Sequence, residues 1–112
     1  MAEKDIFNLY IDGQVDGKKV VDFLKYKKKD VAAAVGIAQK SVRYDNKMPA
    51  ELSGRLTEWA VAINLVGDHF QDEHRTMLWF QTVNPILGGV SPQAMIKAGR
   101  VDKLLKFIQT VD

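Results

Sequence analysis

The fold is decided by residues 49–66, which read PAELSGRLTEWAVAINLV. Large apolar side chains recur there at spacings of four, three, four and three, namely Leu52, Leu56, Trp59, Ile63 and Val66. This spacing is that of one face of an α-helix. Pro49 suits the first helical position, where its missing N–H costs nothing. The segment therefore predicts a long helix whose apolar face packs into a core.

Three more helices are predicted on the C-terminal side. Asp72 is placed to cap a helix that runs through Trp79-Phe80. Residues 84–89, which read NPILGG, end that helix. Ser91-Pro92 combines a cap with a first helical residue, so a short helix follows to about residue 97 and stops at Gly99. A last amphipathic helix is predicted by Val101, Leu104, Leu105 and Ile108.

The N-terminal side predicts shorter elements. Residues 6–11 are expected to be irregular or briefly extended, because two Asp-Gly turn signals follow them. Asp16 can cap a helix whose apolar side chains lie on one side. Residues 27–44 then predict a helix, a tight turn at Gly36 and a second short helix from about Gln39 to Tyr44.

These patterns predict an all-α protein. A chain of 112 residues is expected to form one compact unit or two very small subdomains that share a core. We divide it into an N-terminal helix-turn-helix region at residues 1–68 and a small C-terminal helical domain at residues 69–112. With 46% apolar and 27% charged residues, the composition is typical of a soluble globular chain.

The positive charge is concentrated in one segment. The whole chain carries a net charge of +2, whereas residues 18–47 hold nine basic and three acidic side chains, a net charge of +6. Such a density favours a polyanionic partner.

Residues 28–47 also meet the needs of a DNA-reading helix-turn-helix. Ala32 supplies the small contact between helices, Gly36 the turn, and Val31, Val35, Ile37 and Val42 the apolar anchors. Arg, Lys and Gln can read base edges, and Tyr commonly reaches a phosphate. The DNA-contacting candidates are Lys28, Lys29, Gln39, Lys40, Arg43, Tyr44 and Lys47.

Two features of this segment leave alternatives open. A pair of helices with a solvated basic face and no DNA contact would have the same pattern. Asp45 and Asn46 also stand near the end of the second helix, where an apolar anchor is usual, so that helix is expected to be short.

The most unusual local sequence is WFQTVNPILGGVSPQAMI, residues 79–96, followed by Gly99 and Arg100. It resembles the toxin-binding domain of the Xre/MbcA/ParS antitoxin family over roughly residues 70–112, and an Xre-like helix-turn-helix precedes that domain in the family as it does here. The matching residues are Trp79, Asn84, Pro85, Leu87, Gly88, Gly89, Pro92, Met95, Gly99 and Arg100.

The resemblance implies an antitoxin of a type II toxin-antitoxin pair. Its partner would be a RES-domain toxin that consumes NAD, and the antitoxin would occlude the toxin's active site and repress its own operon. By the same analogy the toxin-binding candidates are Trp79, Asn84, Pro85, Leu87, Gly88, Gly89, Pro92, Arg100, Lys103 and Leu104. A rigid loop that serves only the backbone is the alternative for any single residue of this motif.

The sequence predicts no catalytic, metal or cofactor site. His69 and His74 are five residues apart and lie about 140° from each other around a helix, whereas a helical zinc motif needs an i, i+4 pair. The absence of cysteine excludes thiolate metal sites, disulfides and cysteine nucleophiles. A Ser/His/Asp set assembled by folding is left open, and an enzyme ranks below the binding functions.

The remaining expectations concern the partners and the location of the chain. The uncharged residues 76–96 are interrupted by Pro85, Pro92 and paired glycines, so no membrane span is predicted. No secretory signal fits the N-terminus, and a cytoplasmic location is expected. Reading two half-sites of double-stranded promoter DNA needs two recognition helices, so we expect a homodimer. The alternatives to an antitoxin are a DNA-binding regulator without a toxin and a helical interaction module that does not bind DNA.

Overall fold

The computed structural model describes residues 5–110 and confirms the all-α class. Two strands of two residues form an antiparallel hairpin, β1 (Tyr10–Ile11) and β2 (Gln14–Val15). The helices of the described residues are α1 (Gly17–Phe23), α2 (Lys28–Val35), α3 (Ala50–Phe70), α4 (Glu73–Gln81), α5 (Pro92–Lys97) and α6 (Val101–Thr110). Two 3-10 turns, at Gln39–Ser41 and Pro85–Leu87, complete the chain.

The long helix α3 forms the centre of the core. All five residues of its predicted apolar face are buried: Leu52, Leu56, Trp59, Ile63 and Val66. Helices α1, α2, α4 and α6 pack directly against it, and α5 packs against α2, α4 and α6. Pro49 is the residue before the helix and not its first residue, since its ψ of 142° is extended and the helix begins at Ala50.

The N-terminal segment is tied to α3 by polar contacts. The backbone N–H of Ile6 donates to the Asn64 side chain at 3.2 Å, and the Asp5 carboxylate accepts from the backbone N–H groups of Leu9 and Tyr10 at 2.7 and 3.0 Å. A turn at residues 6–7 leads into β1, so the expectation of an irregular or briefly extended segment is confirmed.

The prediction of a second helix from about Gln39 to Tyr44 is wrong. α2 ends at Gly36, whose φ of 83° is the left-handed turn that the sequence predicts. After it, however, only a three-residue 3-10 turn forms at Gln39–Ser41, and Val42 is extended with φ −79° and ψ 104°. The chain therefore has a helix and a turn at this place but no α-helix at residues 39–44.

Local side chains explain why the second helix does not form. Val42 is 1% exposed, so its extended backbone serves to bury the side chain in the core. Asp45 accepts the backbone N–H of Lys47 at 3.0 Å, a side-chain turn that competes with helical hydrogen bonds. Tyr44 lies against Gly17 of α1, where an added Cβ would come within 2.8 Å of its ring.

The C-terminal elements agree with the sequence prediction. The Asp72 carboxylate caps α4 by accepting the backbone N–H of Arg75 at 2.8 Å. The Ser91 hydroxyl accepts the backbone N–H of Ala94 at 3.1 Å, and Pro92 is the first residue of α5. Helix α6 follows Gly99, whose φ is 79°.

The junction of α2 with α5 joins the two halves of the chain. The Tyr26 hydroxyl donates to the backbone carbonyl of Gln93, and the Gln93 side chain donates to the carbonyl of Leu24 at 2.7 Å. Lys97 and Asp30 form an ion pair at 2.8 Å. Buried side chains from both halves belong to one hydrophobic cluster, which includes Phe80, Ile96, Val101 and Leu104. The division at residue 68 falls inside α3, although a division by function stays a prediction.

No helix within the described part of the chain is both long enough and apolar enough to cross a membrane.

Candidate binding surfaces

The first candidate surface is the loop between α4 and α5, residues 82–91, with the last turn of α4. Four large apolar side chains are exposed there: Leu78 by 51%, Val83 by 59%, Ile86 by 77% and Val90 by 40%. Singly exposed apolar residues are ordinary, but four within thirteen residues of sequence are the composition of a partner-binding surface. We call these four residues the apolar loop surface.

Asn84 holds this loop in shape. Its backbone N–H donates to the carbonyl of Val90 at 3.0 Å, which closes the loop like a short hairpin. Its carbonyl accepts the N–H groups of Leu87 and Gly89 at 3.0 and 3.2 Å, and its side chain accepts the N–H of Ile86 at 3.0 Å. Gly88 and Gly89 have φ values of 84° and 80°, which favour glycine. The motif that resembles the antitoxin family therefore builds a fixed loop with apolar side chains on its outside.

A groove lies beside the loop. It has a volume of about 520 Å³ and lies between the end of α3, α4, the loop and the end of α6. Its apolar lining comes from Leu65, Val66, Phe70, Trp79, Ile86, Phe107 and Ile108. Ile86 belongs to both the groove and the apolar loop surface, so the two meet at this residue.

The residues predicted to bind a toxin differ in exposure. Pro85, Gly88, Gly89, Arg100 and Lys103 are exposed, and Trp79, Asn84 and Leu87 are partly buried. Pro92 and Leu104 are buried, and Leu104 has no exposed surface. These last two belong to the core and offer a partner no contact area, because each lies on the inward face of its helix.

Sequence reasoning missed Leu78 and Val83 as surface residues and did not single out Ile86 and Val90 within the partner-facing loop from Asn84 to Pro92. Apolar residues in a chain of ordinary composition are usually assigned to the core, and no period marks these four as exposed. The signal that could have found Val83, Ile86 and Val90 is the loop itself, since residues 83–90, with two adjacent glycines, have no inner face large enough for all three of these aliphatic side chains.

The second candidate surface is basic. It consists of the exposed basic side chains of residues 18–47, and we call it the basic surface. Six of the seven predicted DNA-contacting residues are exposed there: Lys28, Lys29, Gln39, Lys40, Arg43 and Lys47. Tyr44, the seventh, is partly buried against Gly17, and burial raises the pKa of its phenol above the usual value.

Each acid of the basic surface is paired. Asp22 accepts from Lys18 at 2.8 Å, and Asp45 binds Arg43 through two hydrogen bonds of 3.0 and 2.7 Å. Asp30 accepts from Lys97, which lies on α5 and outside the segment. The bond from Arg43 lowers the pKa of Asp45, and the bond from Lys97 lowers the pKa of Asp30, so both carboxylates are charged at neutral pH.

No cluster of three or more potential metal ligands occurs within residues 5–110. His69 ends up near the end of α3 with its ring edge-on to Phe70 at 5.1 Å, and His74 lies exposed in the first turn of α4. The two imidazoles therefore belong to different helices. Asp72 caps α4, as the sequence predicts, with Glu73 as its first residue.

Searches of family models and of curated proteins with this sequence give no match.

Proposed function

We propose that this protein is an antitoxin that binds and neutralises a RES-domain, NAD-consuming toxin in the cytoplasm. The observation that carries the proposal is the apolar loop surface, whose residues alternate along the chain with those that resemble the toxin-binding domain of the Xre/MbcA/ParS family. A loop that only connected two helices would have no need of three exposed aliphatic side chains, with a fourth on the last turn of the helix before it. The protein binds and does no chemistry of its own.

The shape of this surface supports a protein partner. Tight protein interfaces have a desolvated apolar centre and a polar rim. Here Ile86 is 77% exposed, and the charged side chains of Arg100, just before α6, and Lys103, within α6, are exposed as well. The groove adds a concave area beside the protruding loop, so a partner could place an apolar side chain there.

Co-expression tests the proposal. A RES-domain reading frame next to this gene should encode a product that is lethal alone and tolerated when the present chain is made with it. The two proteins should also co-purify. A neighbouring gene of an unrelated kind, or toxicity that the present chain does not relieve, would contradict the proposal.

Ile86→Asp is the sharpest variant for the toxin contact. A buried charge without a partner at the centre of an interface weakens binding by about a hundredfold or more. The variant should fold normally, because the Ile86 side chain is 77% exposed. Ile11→Asp is the matched control, since Ile11 is 60% exposed on β1 and should tolerate the same charge without loss of toxin binding. Equal toxin binding by both variants would place the interface elsewhere.

The second function that we propose is repression of the protein's own operon through double-stranded DNA. The observation that favours it is the basic surface, whose acids are all paired and whose lysines are exposed. A homodimer would present two such surfaces to one duplex. Retardation of the promoter fragment at low salt tests the DNA contact, and a light-scattering mass of two chains tests the dimer. Failure to retard the promoter would leave the toxin function standing and remove this one.

A further inference from the structure

The lysines of the basic surface are free of ion pairs, except for Lys18, which pairs with Asp22. Among residues 5–110, the lysines of this segment without an anionic partner are Lys19, Lys25, Lys27, Lys28, Lys29, Lys40 and Lys47. All seven are exposed. Because Asp22, Asp30 and Asp45 are each bound to a cation, no free carboxylate of this segment competes for these lysines.

The free lysines stand at both ends of α2. Lys27 to Lys29 lie at its start, and Lys40 and Lys47 follow its end, with the first 3-10 turn packed on the helix. A helix of eight residues is about 12 Å long. Along a duplex, that length corresponds to about three or four phosphates of one strand. The helix between the two groups of lysines is therefore long enough to span several phosphates of a single backbone.

The groups that could read bases are engaged or withdrawn. The Arg43 guanidinium donates two hydrogen bonds to Asp45, through Nε and Nη2. Arg43 would need the same two donors to bind the O6 and N7 atoms of a guanine. Release of Arg43 would leave the Asp45 carboxylate unpaired beside the phosphates, which makes the exchange unfavourable. Tyr44 is packed against Gly17, and residues 39–44 contain no α-helix to enter the major groove.

We infer that the basic surface binds duplex DNA by lysine contacts to the phosphate backbone, and that Asp45 holds Arg43 away from the base edges. This inference rests on the proposed DNA binding and specifies its chemistry. Gln39 and Lys40 are the exposed groups of residues 39–44 with base-reading chemistry that are neither paired nor packed, and no α-helix carries them into the major groove, so promoter preference is weak. The salt dependence is steep, because each phosphate contact releases counterions.

The experiment compares two duplexes with the full chain. One duplex carries the protein's own promoter and the other the same bases in shuffled order, and affinities are measured by fluorescence anisotropy over a series of salt concentrations. One good base contact gives a preference of about fivefold or more, so we expect the two affinities to differ by less than that. Lys28→Ala and Lys40→Ala should each weaken both duplexes equally and reduce the salt slope by about one. Lys106→Ala on α6 is the control and should leave the slope unchanged.

Variants of the Arg43–Asp45 pair separate this inference from an ordinary base-reading site. Arg43→Ala should leave the promoter preference unaltered. Asp45→Asn keeps the oxygen that accepts from Lys47 and removes the charge, so it should tighten binding to both duplexes and raise the salt slope. A strong promoter preference that Arg43→Ala abolishes would overturn the inference and leave the proposed DNA binding intact. Absence of binding to either duplex at low salt would overturn both.

Discussion

Asp30 shows how one carboxylate serves two elements at once. Its side chain accepts the backbone N–H of Lys27 at 2.9 Å, which helps to begin α2, and it pairs with Lys97 of α5. The ion-paired carboxylate is only 14% exposed, while Lys97 is 49% exposed. Asp30 therefore stabilises a helix start and a contact between distant parts of the chain.

We predict that Asp30→Asn changes the pH dependence of stability. The hydrogen bond from Lys97, followed by that from the Lys27 backbone, lowers the folded pKa of Asp30, so its contribution is present above the unfolded value of about 3.9 and is lost as pH falls through the folded value. The variant should be less stable at pH 7 by at most about 1 kcal/mol, since solvent screens the lysine. Urea unfolding from pH 7 to pH 2 measures this.

The expected sign distinguishes Asp30 from a general charge effect. Asp30→Asn should flatten the acid limb of the stability profile, because the charge that acid would remove is already gone. Asp22→Asn removes a carboxylate from an exposed ion pair and is the control, with little change expected in the limb. If Asp30→Asn lost stability with falling pH as steeply as the wild-type protein, the Lys97 contact would add no stability.

Gly36 is the residue on which the turn after α2 depends. Its φ of 83° lies in the left-handed region, and an added Cβ would meet no atom within 4 Å. The cost of a side chain there is thus conformational and not steric. Gly36→Ala should lower the free energy of unfolding by about 1 kcal/mol, and Gly36→Asn by less, because asparagine tolerates this region better. Equal stability of the two variants in thermal unfolding would contradict this reasoning.

At the scale of elements, prediction succeeded where chemistry is local. The caps Asp16, Asp72 and Ser91 begin helices as predicted, since a side-chain acceptor and the N–H groups it binds lie within three residues. The apolar face of α3 could be predicted equally well, because apolar residues at spacings of three and four lie on one face of a helix, whatever that face packs against. Most of the fold follows from such signals.

Prediction failed where distant contacts decide the backbone. Residues 39–44 have a helical pattern in sequence, but burial of Val42 and the packing of Tyr44 on Gly17 favour an extended chain. The 3-10 turn that remains cannot be distinguished from a helix by apolar spacing alone. The candidate site was predicted only in part for the same reason: the NPILGG motif marks the loop, but which side chains face solvent depends on how the loop closes.

At the scale of the whole molecule, the protein has one core. Leu104 of α6 is fully buried in the same cluster as Trp59 of α3 and Val31 of α2. Tyr26 reinforces the connection, because its ring lies edge-on to Trp59 at 5.6 Å while its hydroxyl bonds to Gln93. Loss of a buried side chain in either half should therefore lower the stability of the whole chain.

We predict that Leu104→Ala destabilises the entire chain. Truncation of a fully buried leucine costs about 2–5 kcal/mol, which is a large part of the stability of a small domain. Helix content by circular dichroism and the fluorescence of Trp59 and Trp79 should fall together, with one lowered midpoint. Val83→Ala, at a 59% exposed position, is the control and should leave the midpoint nearly unchanged. Separate transitions for the two probes would show two independent cores.

The junction of α2 with α5 also has a consequence for how such a protein can be altered by recombination. A crossover in the middle of the chain would give a hybrid in which Gln93 meets a foreign segment between α1 and α2 and Lys97 has no Asp30 to bind. Exchange of the apolar loop surface between relatives is therefore expected to require exchange of α2 as well. The apolar loop surface and the basic surface would then be inherited together as a unit, although they lie on different elements.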